Sequence, residues 1–488
     1  MFRGAGGTVL SRVVGLLRDA AIAYAFGASA GYDAFLVALY LPQALRQVLG
    51  EGGLAAAFLP VYARAREDGQ GDELARSAFV YLLFVLPPIC ALGALFAPFY
   101  LPVLAAGFAP ETMAQSVALA RWLFPLIGFI SIAALAGGIL NAHGRFFLPA
   151  LAPAVLNVGM IVGATLLARL ARPPILGLAL GALVGGAGMA ILLLPPLRST
   201  LRGPWRVWPP HPALGEVAWR LVPSLGALVV AELNTLVDNR LASYLAPGSI
   251  ATLQYAMRLF QLPLGILAVS VTTAALPRLA QLVAQRDEIG FRRALSRGFL
   301  TTGTLILPAL AGLLILGTPI LTVLFERGAF TATDTGRAYA ALAGYLSGLW
   351  AYALVYLLSR AWFALGRPLL PVLAGAGALA VNIGLNLWWV QIWGTFGLAL
   401  ATGVAGWVNA VLLAVPLWRR HRGWISVHST VRLFAAVGGM CGGLLLVRPA
   451  LSPLGPWVEV AVGVPLGVVL YAGLLWTLGI RRFLAGER

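Results

Sequence analysis

Charge is what this sequence has least of. Charged residues make up 10% of the 488-residue chain and hydrophobic ones 60%, whereas a soluble protein of this length carries roughly a quarter charged residues. With a mean hydropathy of +0.89, that scarcity excludes a soluble globular protein and leaves a multi-spanning membrane protein. Lysine is absent altogether: all 34 basic residues are arginine, a bias that carries no functional weight. Cysteine is nearly missing. Cys90 and Cys441 lie far apart in separate apolar runs, which excludes a disulfide or cysteine–metal framework. His143, His211, His421 and His428 fall in or near loops without metal spacing, and no Walker A loop occurs. A cleavable signal peptide is not expected, because Arg12, Arg18 and Asp19 interrupt the first apolar run and no A-x-A-like site follows. The net charge of +17 sits mostly in short connections, which is a topology signal and predicts no nucleic-acid partner.

What is present is a series of apolar runs, each long enough to cross about 30 Å of hydrocarbon. They fall near 4–27, 33–63, 77–106, 115–141, 148–168, 175–197, 216–245, 250–282, 297–324, 336–364, 369–392, 395–418, 430–447 and 457–479, about fourteen spans in an all-α polytopic fold. The connections on one side hold Arg64, Arg66, Arg76, Arg145, Arg198 and Arg202, and later Arg292, Arg293, Arg367, Arg419 and Arg420. Those near 28–32, 107–114, 246–249 and 393–394 hold almost none, so both termini are predicted to be cytoplasmic.

The stretch 201–220, "LRGPWRVWPPHPALGEVAWR", is the longest polar break and separates two similar halves. "GRFFLPALA" at 144–152 matches "GRPLLPVLA" at 366–374, an offset of 222 residues; "AAFLPVYAR" at 56–64 resembles "TAALPRLAQ" at 273–281, an offset of 217. Six spans per half make the repeats parallel. The expected organisation is an N-terminal lobe (1–200), an interfacial linker (201–215), a C-terminal lobe (216–422) and two additional helices (423–488). Two parallel six-helix lobes around a central cavity form a transporter plan.

The spans are not uniformly apolar. "SRVVGLLRDAAIAYAFG" (11–27) carries Arg12, Arg18 and Asp19, and a charge at membrane depth costs roughly 2.5–3.5 kcal/mol, about 7–10 kcal/mol for three. Arg12 lies about 12 Å into the span and Arg18 about 21 Å. Snorkelling excuses Arg12 better than Arg18 or Asp19. The second span holds Asp33, Arg46 and Glu51 with Pro42 and three glycines; a helix cap competes with a cavity role for Asp33. The eighth span holds Arg258 beside Gln254 and Gln261. If the halves face each other, Arg12, Arg18, Arg46 and Arg258 converge. Guanidinium forks match phosphate oxygens bidentately, so the expected substrate is anionic and phosphorylated. A second polar group, Asn234 and Asp238, Asn382 and Asn386, and Thr402, offers hard oxygens for a cation such as Na⁺, or hydrogen bonds between packed spans.

The N-terminal block from Ser11 to Arg64, "SRVVGLLRDAAIAYAFGASAGYDAFLVALYLPQALRQVLGEGGLAAAFLPVYAR", is similar almost throughout to the signature of the MurJ (MviN) lipid II flippases. "LFERGAFTATDT" at 324–335 resembles another stretch of that family, and the resemblance covers essentially the whole chain. It implies membership of the multidrug/oligosaccharidyl-lipid/polysaccharide exporter superfamily, and a flippase rather than an enzyme. The implied substrate is undecaprenyl-pyrophosphate-linked disaccharide pentapeptide, carried across the bacterial inner membrane by alternating access. The resemblance assigns the substrate cavity to Arg12, Arg18, Arg46, Arg258 and Asp33; Asp19 and Glu51, charged in the same spans, are further substrate-binding candidates from the residues themselves. It assigns a lipid-tail groove to the last two spans, and a sodium site to Asn382, Asn386, Thr402 and Asp238. No organic cofactor is implied, and the partners are membrane lipids and candidate cell-wall synthases. Two departures stand out: "ALGRPLLP" (364–371) lacks an acid and threonines common at that turn, and Asn386 stands where an acidic ligand can occur. The rival readings are an exporter of another polyprenyl-pyrophosphate glycan or of drugs, a membrane-embedded glycosyltransferase, and a scaffold.

Overall fold

In hydrocarbon a backbone this apolar satisfies its own N–H and C=O groups most simply as helix. A computed structural model gives helix after helix, with no strand among the described residues. It describes residues 2–49, 53–198, 200–205, 210–265 and 269–479, without the side chains of 2–6, 8–9, 46–49, 53–56, 223–231 and 269–275. Nine helices among the described residues are long and apolar enough to cross a membrane. They account for ten of the expected spans, because 369–392 and 395–418 form one helix. The other four, the first, second, seventh and eighth, are helical over their described residues, and they are the ones that carry the candidate charges.

The chain forms two compact units. Unit 1, Met1–Ala251 with Arg327–Phe330, holds α1 (Phe2–Phe26), α2 (Ala30–Leu49), α3 (Gly53–Glu67), α4 (Gly71–Leu95), α5 (Ala97–Leu104), α6 (Pro110–Leu123), α7 (Pro125–Ala142), α8 (Phe147–Val162), α9 (Ala168–Leu170), α10 (Ile175–Leu193) and α11 (Ala213–Ala242). Proline sets several boundaries: Pro110 and Pro125 open α6 and α7, where a missing N–H costs nothing. Glycine sets the closest crossing. Gly159 and Gly163 meet Gly181 and Gly185 with no room for a side chain, so α8 and α10 touch backbone to backbone. On its other side α8 packs against α1. α11 packs on α2, α3, α4 and α5. The sequence repeat changes over in the 201–215 linker, whereas the packing boundary falls after Ala251.

Unit 2, Thr252–Glu326 with Thr331–Arg488, holds nearly all of α12 (Ser249–Pro263), then α13 (Val269–Ala284), α14 (Glu288–Phe325), α15 (Ala332–Leu346), α16 (Leu349–Ala364), α17 (Leu369–Arg420), α18 (Val427–Leu451) and α19 (Pro456–Thr477). Its core gathers Phe299, Leu357, Trp362, Leu413, Trp424 and Leu433 from four of these helices and the turn before α18. Asp287 and Ser426 cap α14 and α18, and Thr331 with Asp334 forms a capping box on α15. Gly394, at φ 55° and ψ −128°, breaks α17 between the two expected spans. The added pair α18 and α19 packs on α14, where Tyr471 donates to the Thr304 carbonyl at 2.9 Å.

Candidate functional site

In α1 the residues Ser11, Gly15 and Arg18 share one helical stripe, and it faces α8. Gly15 has no side chain to keep Asn157 away. Arg18 Nη1 donates to Asn157 Oδ1 at 2.8 Å, and Asn157 Nδ2 donates to the Ser11 carbonyl at 3.4 Å. Arg18 Nε and Nη2 both donate to Asp19 Oδ1, at 3.0 and 2.6 Å. The pair is largely withdrawn from solvent, with side-chain exposures of 17% for Arg18 and 8% for Asp19. A buried charge left alone is expensive; one paired and hydrogen-bonded is tolerated. Of the five guanidinium N–H groups, these contacts use three. Among the described residues one hydrogen on each Nη remains to donate to an anion such as a phosphate.

Arg12 is exposed, with no hydrogen-bond or ion-pair partner among the described residues. It lies about 9 Å along α1 from Arg18. The side chain of Arg46 and the whole of Glu51 lie outside the described residues.

Asp33 is not the cap of its own helix. Ser29 does that work, its Oγ accepting from the Tyr32 N–H at 3.3 Å. The buried Asp33 carboxylate instead accepts from the Gly248 N–H at 2.6 Å and the Ala251 N–H at 2.7 Å. These are the cap and third residues of α12, so α2 caps α12 from a distance of more than two hundred residues in sequence. A carboxylate at a helix N-terminus satisfies orphan donors and meets the positive end of the dipole. Gly248, at φ +84°, lies against the Ala28 carbonyl, where a Cβ has no room. Nearby, the Ala329 N–H donates to the Tyr24 carbonyl at 2.8 Å, so the "LFERGAF" turn closes on the end of α1.

Arg258 stands on α12 in unit 2, partly buried. Asp238 stands on α11 in unit 1, where Asn234 Nδ2 donates to its Oδ2 at 3.3 Å. In unit 2, Asn386 Nδ2 donates to Asn382 Oδ1 at 2.7 Å, Asn382 Nδ2 donates to Thr402 Oγ1 at 3.4 Å, and Thr402 Oγ1 donates to the Leu398 carbonyl at 3.1 Å. All three side chains are buried. They form a ladder between the two halves of α17.

Sequence reading passed over Asn157, the partner that orients Arg18. The repeat held a signal: Asn157 and Asn382 both sit in the middle of the fifth span of their half, displaced by three residues from the 222-residue offset. It also passed over Glu216, which accepts from Arg64 of α3 and from Arg220 one turn on, tying α11 to α3.

Long apolar helices, charges set inside four of the spans and a part-buried guanidinium with donors to spare define a polytopic membrane transporter. The fold agrees: a multidrug resistance MATE family transporter of the MOP superfamily, solved inward-facing, superposes with a TM-score of 0.70 at 15% identity over 85% of this chain and 98% of that one. The chain belongs to the lipid II flippase MurJ family, whose model matches residues 22–451. It is 32% identical to the probable lipid II flippase MurJ of Vibrio cholerae over 97% of this chain and 94% of that one. It is 32% identical to the lipid II flippase MurJ of Burkholderia cenocepacia over 98% and 96%. A solved lipid II flippase MurJ in an inward closed conformation matches with a TM-score of 0.82 and 26% identity, over 98% of this chain and 100% of that one.

Proposed function

We propose that this protein is a lipid II flippase: it carries the undecaprenyl-pyrophosphate-linked peptidoglycan precursor from the inner to the outer leaflet of the bacterial cytoplasmic membrane and makes no covalent bond. The observation that carries the reading is the Arg18 guanidinium, held by Asp19 and Asn157 with two N–H groups uncommitted among the described residues, in a chain of the MurJ family. Pyrophosphate is its natural complement, since a planar guanidinium binds two oxygens at once and keeps its charge at every accessible pH. Arg12, Arg46 and Arg258, with Asp19, Asp33 and Glu51, complete the grip on this reading, and the Asp33 carboxylate, which accepts from Gly248 and Ala251 of its own unit, fixes the start of α12. The undecaprenyl tail lies along α18 and α19, both termini are cytoplasmic, and cell-wall synthases use the delivered precursor. Four cavity arginines repel the cations that drug exporters carry.

The membrane potential supplies the drive, at about 2.3 kcal/mol per charge per 100 mV. A coupling Na⁺ would take oxygens from Asn382, Asn386, Thr402 and Asp238. In the ladder described above amide N–H groups already donate to two of those oxygens, each of which keeps a second lone pair for a cation. Transport that persists when Na⁺ is replaced and collapses with the potential supports the potential-driven form; the opposite pattern removes it.

Complementation tests the main reading. In a bacterium depleted of its own lipid II flippase, wild type is expected to restore growth and outer-face labelling of lipid II, while Arg18→Ala at equal membrane abundance restores neither. Rescue by Arg18→Ala contradicts the grip; failure of well-expressed wild type in a compatible host favours an exporter of another polyprenyl-pyrophosphate glycan.

A further inference from the structure

A cavity of about 630 Å³ opens where α3 and α7 end, on the arginine-rich side of unit 1. We propose that it binds the headgroup of a zwitterionic ethanolamine phospholipid. The inference is independent of the transported substrate.

Leu59, Tyr62, Ala63 and Arg66 line the cavity from α3, at spacings that put them on one helical face. Arg64, two residues before Arg66, points the other way and pairs with Glu216 of α11. The cavity is therefore on the side of α3 turned away from α11. It also lies where the apolar runs of α3 and α7 stop, which is the depth of lipid headgroups rather than of tails.

Its chemistry is two-signed. Arg66 Nη1 donates to the Ala142 carbonyl at 3.0 Å, which leaves four of its five N–H groups for an anion. The adjacent Glu67 carboxylate has no hydrogen-bond or ion-pair partner among the described residues. The C-terminal carbonyls of α7 add negative potential beside it. The Phe146 ring, 54% exposed, adds aromatic surface, and a ring of this kind attracts an ammonium group. A phosphoethanolamine headgroup matches this set: phosphate on Arg66, primary ammonium on Glu67 beside the Phe146 ring, and glycerol against Leu59 and Ala63. A purely anionic headgroup sets a negative charge against Glu67. A choline headgroup cannot donate a hydrogen bond to that carboxylate.

The test is native mass spectrometry of the full chain extracted from bilayers of equal parts phosphatidylethanolamine, phosphatidylglycerol and phosphatidylcholine. Wild type is expected to retain phosphatidylethanolamine several-fold over both others. Glu67→Gln is expected to bring it down to the level of phosphatidylcholine, and Arg66→Gln to lower both together. Arg64→Gln, on the opposite face of α3, controls for folding and is expected to leave retention unchanged. Retention of phosphatidylglycerol equal to phosphatidylethanolamine, or an unchanged preference in Glu67→Gln, overturns the proposal. Displacement by soluble phosphoethanolamine at the same concentration as lipid overturns the lipid assignment.

Discussion

Arg18 has its charge oriented on both sides, by Asp19 within α1 and by Asn157 from α8. A lysine at that position brings three donors on a single nitrogen and cannot span both partners while presenting a planar fork outward. Arg18→Lys is therefore expected to lose lipid II transport at least tenfold with membrane abundance unchanged. Asn157→Leu removes the acceptor of Nη1 and leaves a part-buried charged donor unsatisfied, a cost of about 1–3 kcal/mol. It is expected to lower both transport and thermal midpoint, and full activity in Asn157→Leu would show that the fork does not need α8. Arg18 and Asp19 were legible in the sequence because charge inside an apolar run is costly on its face. Asn157 was not, since a single asparagine in a span reads as ordinary interhelical glue. The partners of Asp33 were equally hidden: backbone N–H groups at 248 and 251 leave no trace in residue identity.

At the scale of elements the internal repeat is visible in the turns as well as the letters. Gly144 (φ 73°) and Gly366 (φ 69°) both end a helix in the left-handed conformation, and the next residue bonds back across the turn in each, Arg145 to Leu140 at 2.9 Å and Arg367 to Trp362 at 3.0 Å. This is the glycine C-cap that the repeated "GR" pair encodes. Gly69 (φ 75°) and Arg286 (φ 55°) form a second such pair at the 217-residue offset, with Gln70 bonded back to Ala65 and Asp287 to Leu282. Arg286 is the one non-glycine residue at positive φ among the described residues. A left-handed conformation costs a residue with a Cβ about 1–2 kcal/mol, partly offset by the greater freedom glycine has when unfolded. Arg286→Gly is expected to raise the thermal midpoint by a few degrees, and Gly69→Arg to lower it; a fall in Arg286→Gly would contradict the reading. Hydropathy located the apolar helices well. It ranks the first two spans lowest for a physical reason: Arg12, Arg18 and Asp19 in one, and Asp33, Arg46 and Glu51 in the other, lower the apolar average of a helix.

For the whole molecule the repeat and the packing divide the chain differently. Sequence puts the junction in the 201–215 linker, and packing puts it after Ala251, because α11 lies on α2 to α5. No repeat pattern predicts this, since it depends on tertiary contacts such as Arg64–Glu216 and the Asp33 cap rather than on residue similarity. If Asp33 holds α12 to α2, Asp33→Asn retains one good acceptor and loses the charge. Caps of this kind are worth about 0.5–2 kcal/mol, and one or two kcal/mol is a factor of roughly 5–30 in an equilibrium. A cysteine in place of the buried Ile250 (5% exposed) is then expected to react several-fold faster with a membrane-impermeant maleimide in the Asp33→Asn background. Equal rates in the two backgrounds would mean that the cap does not hold the 248–251 turn closed.

On the reading proposed above, Arg18 grips the pyrophosphate of the lipid that this chain carries across the membrane. The most direct test of this reading is purified protein in proteoliposomes, with labelled lipid II on one leaflet and the appearance of label on the other timed under an imposed potential. Wild type is expected to move lipid II, while Arg18→Lys and Arg18→Ala, folded and inserted to the same level, stay near the protein-free rate. Equal movement by the Arg18 variants, or none by wild type under either polarity, would contradict the account.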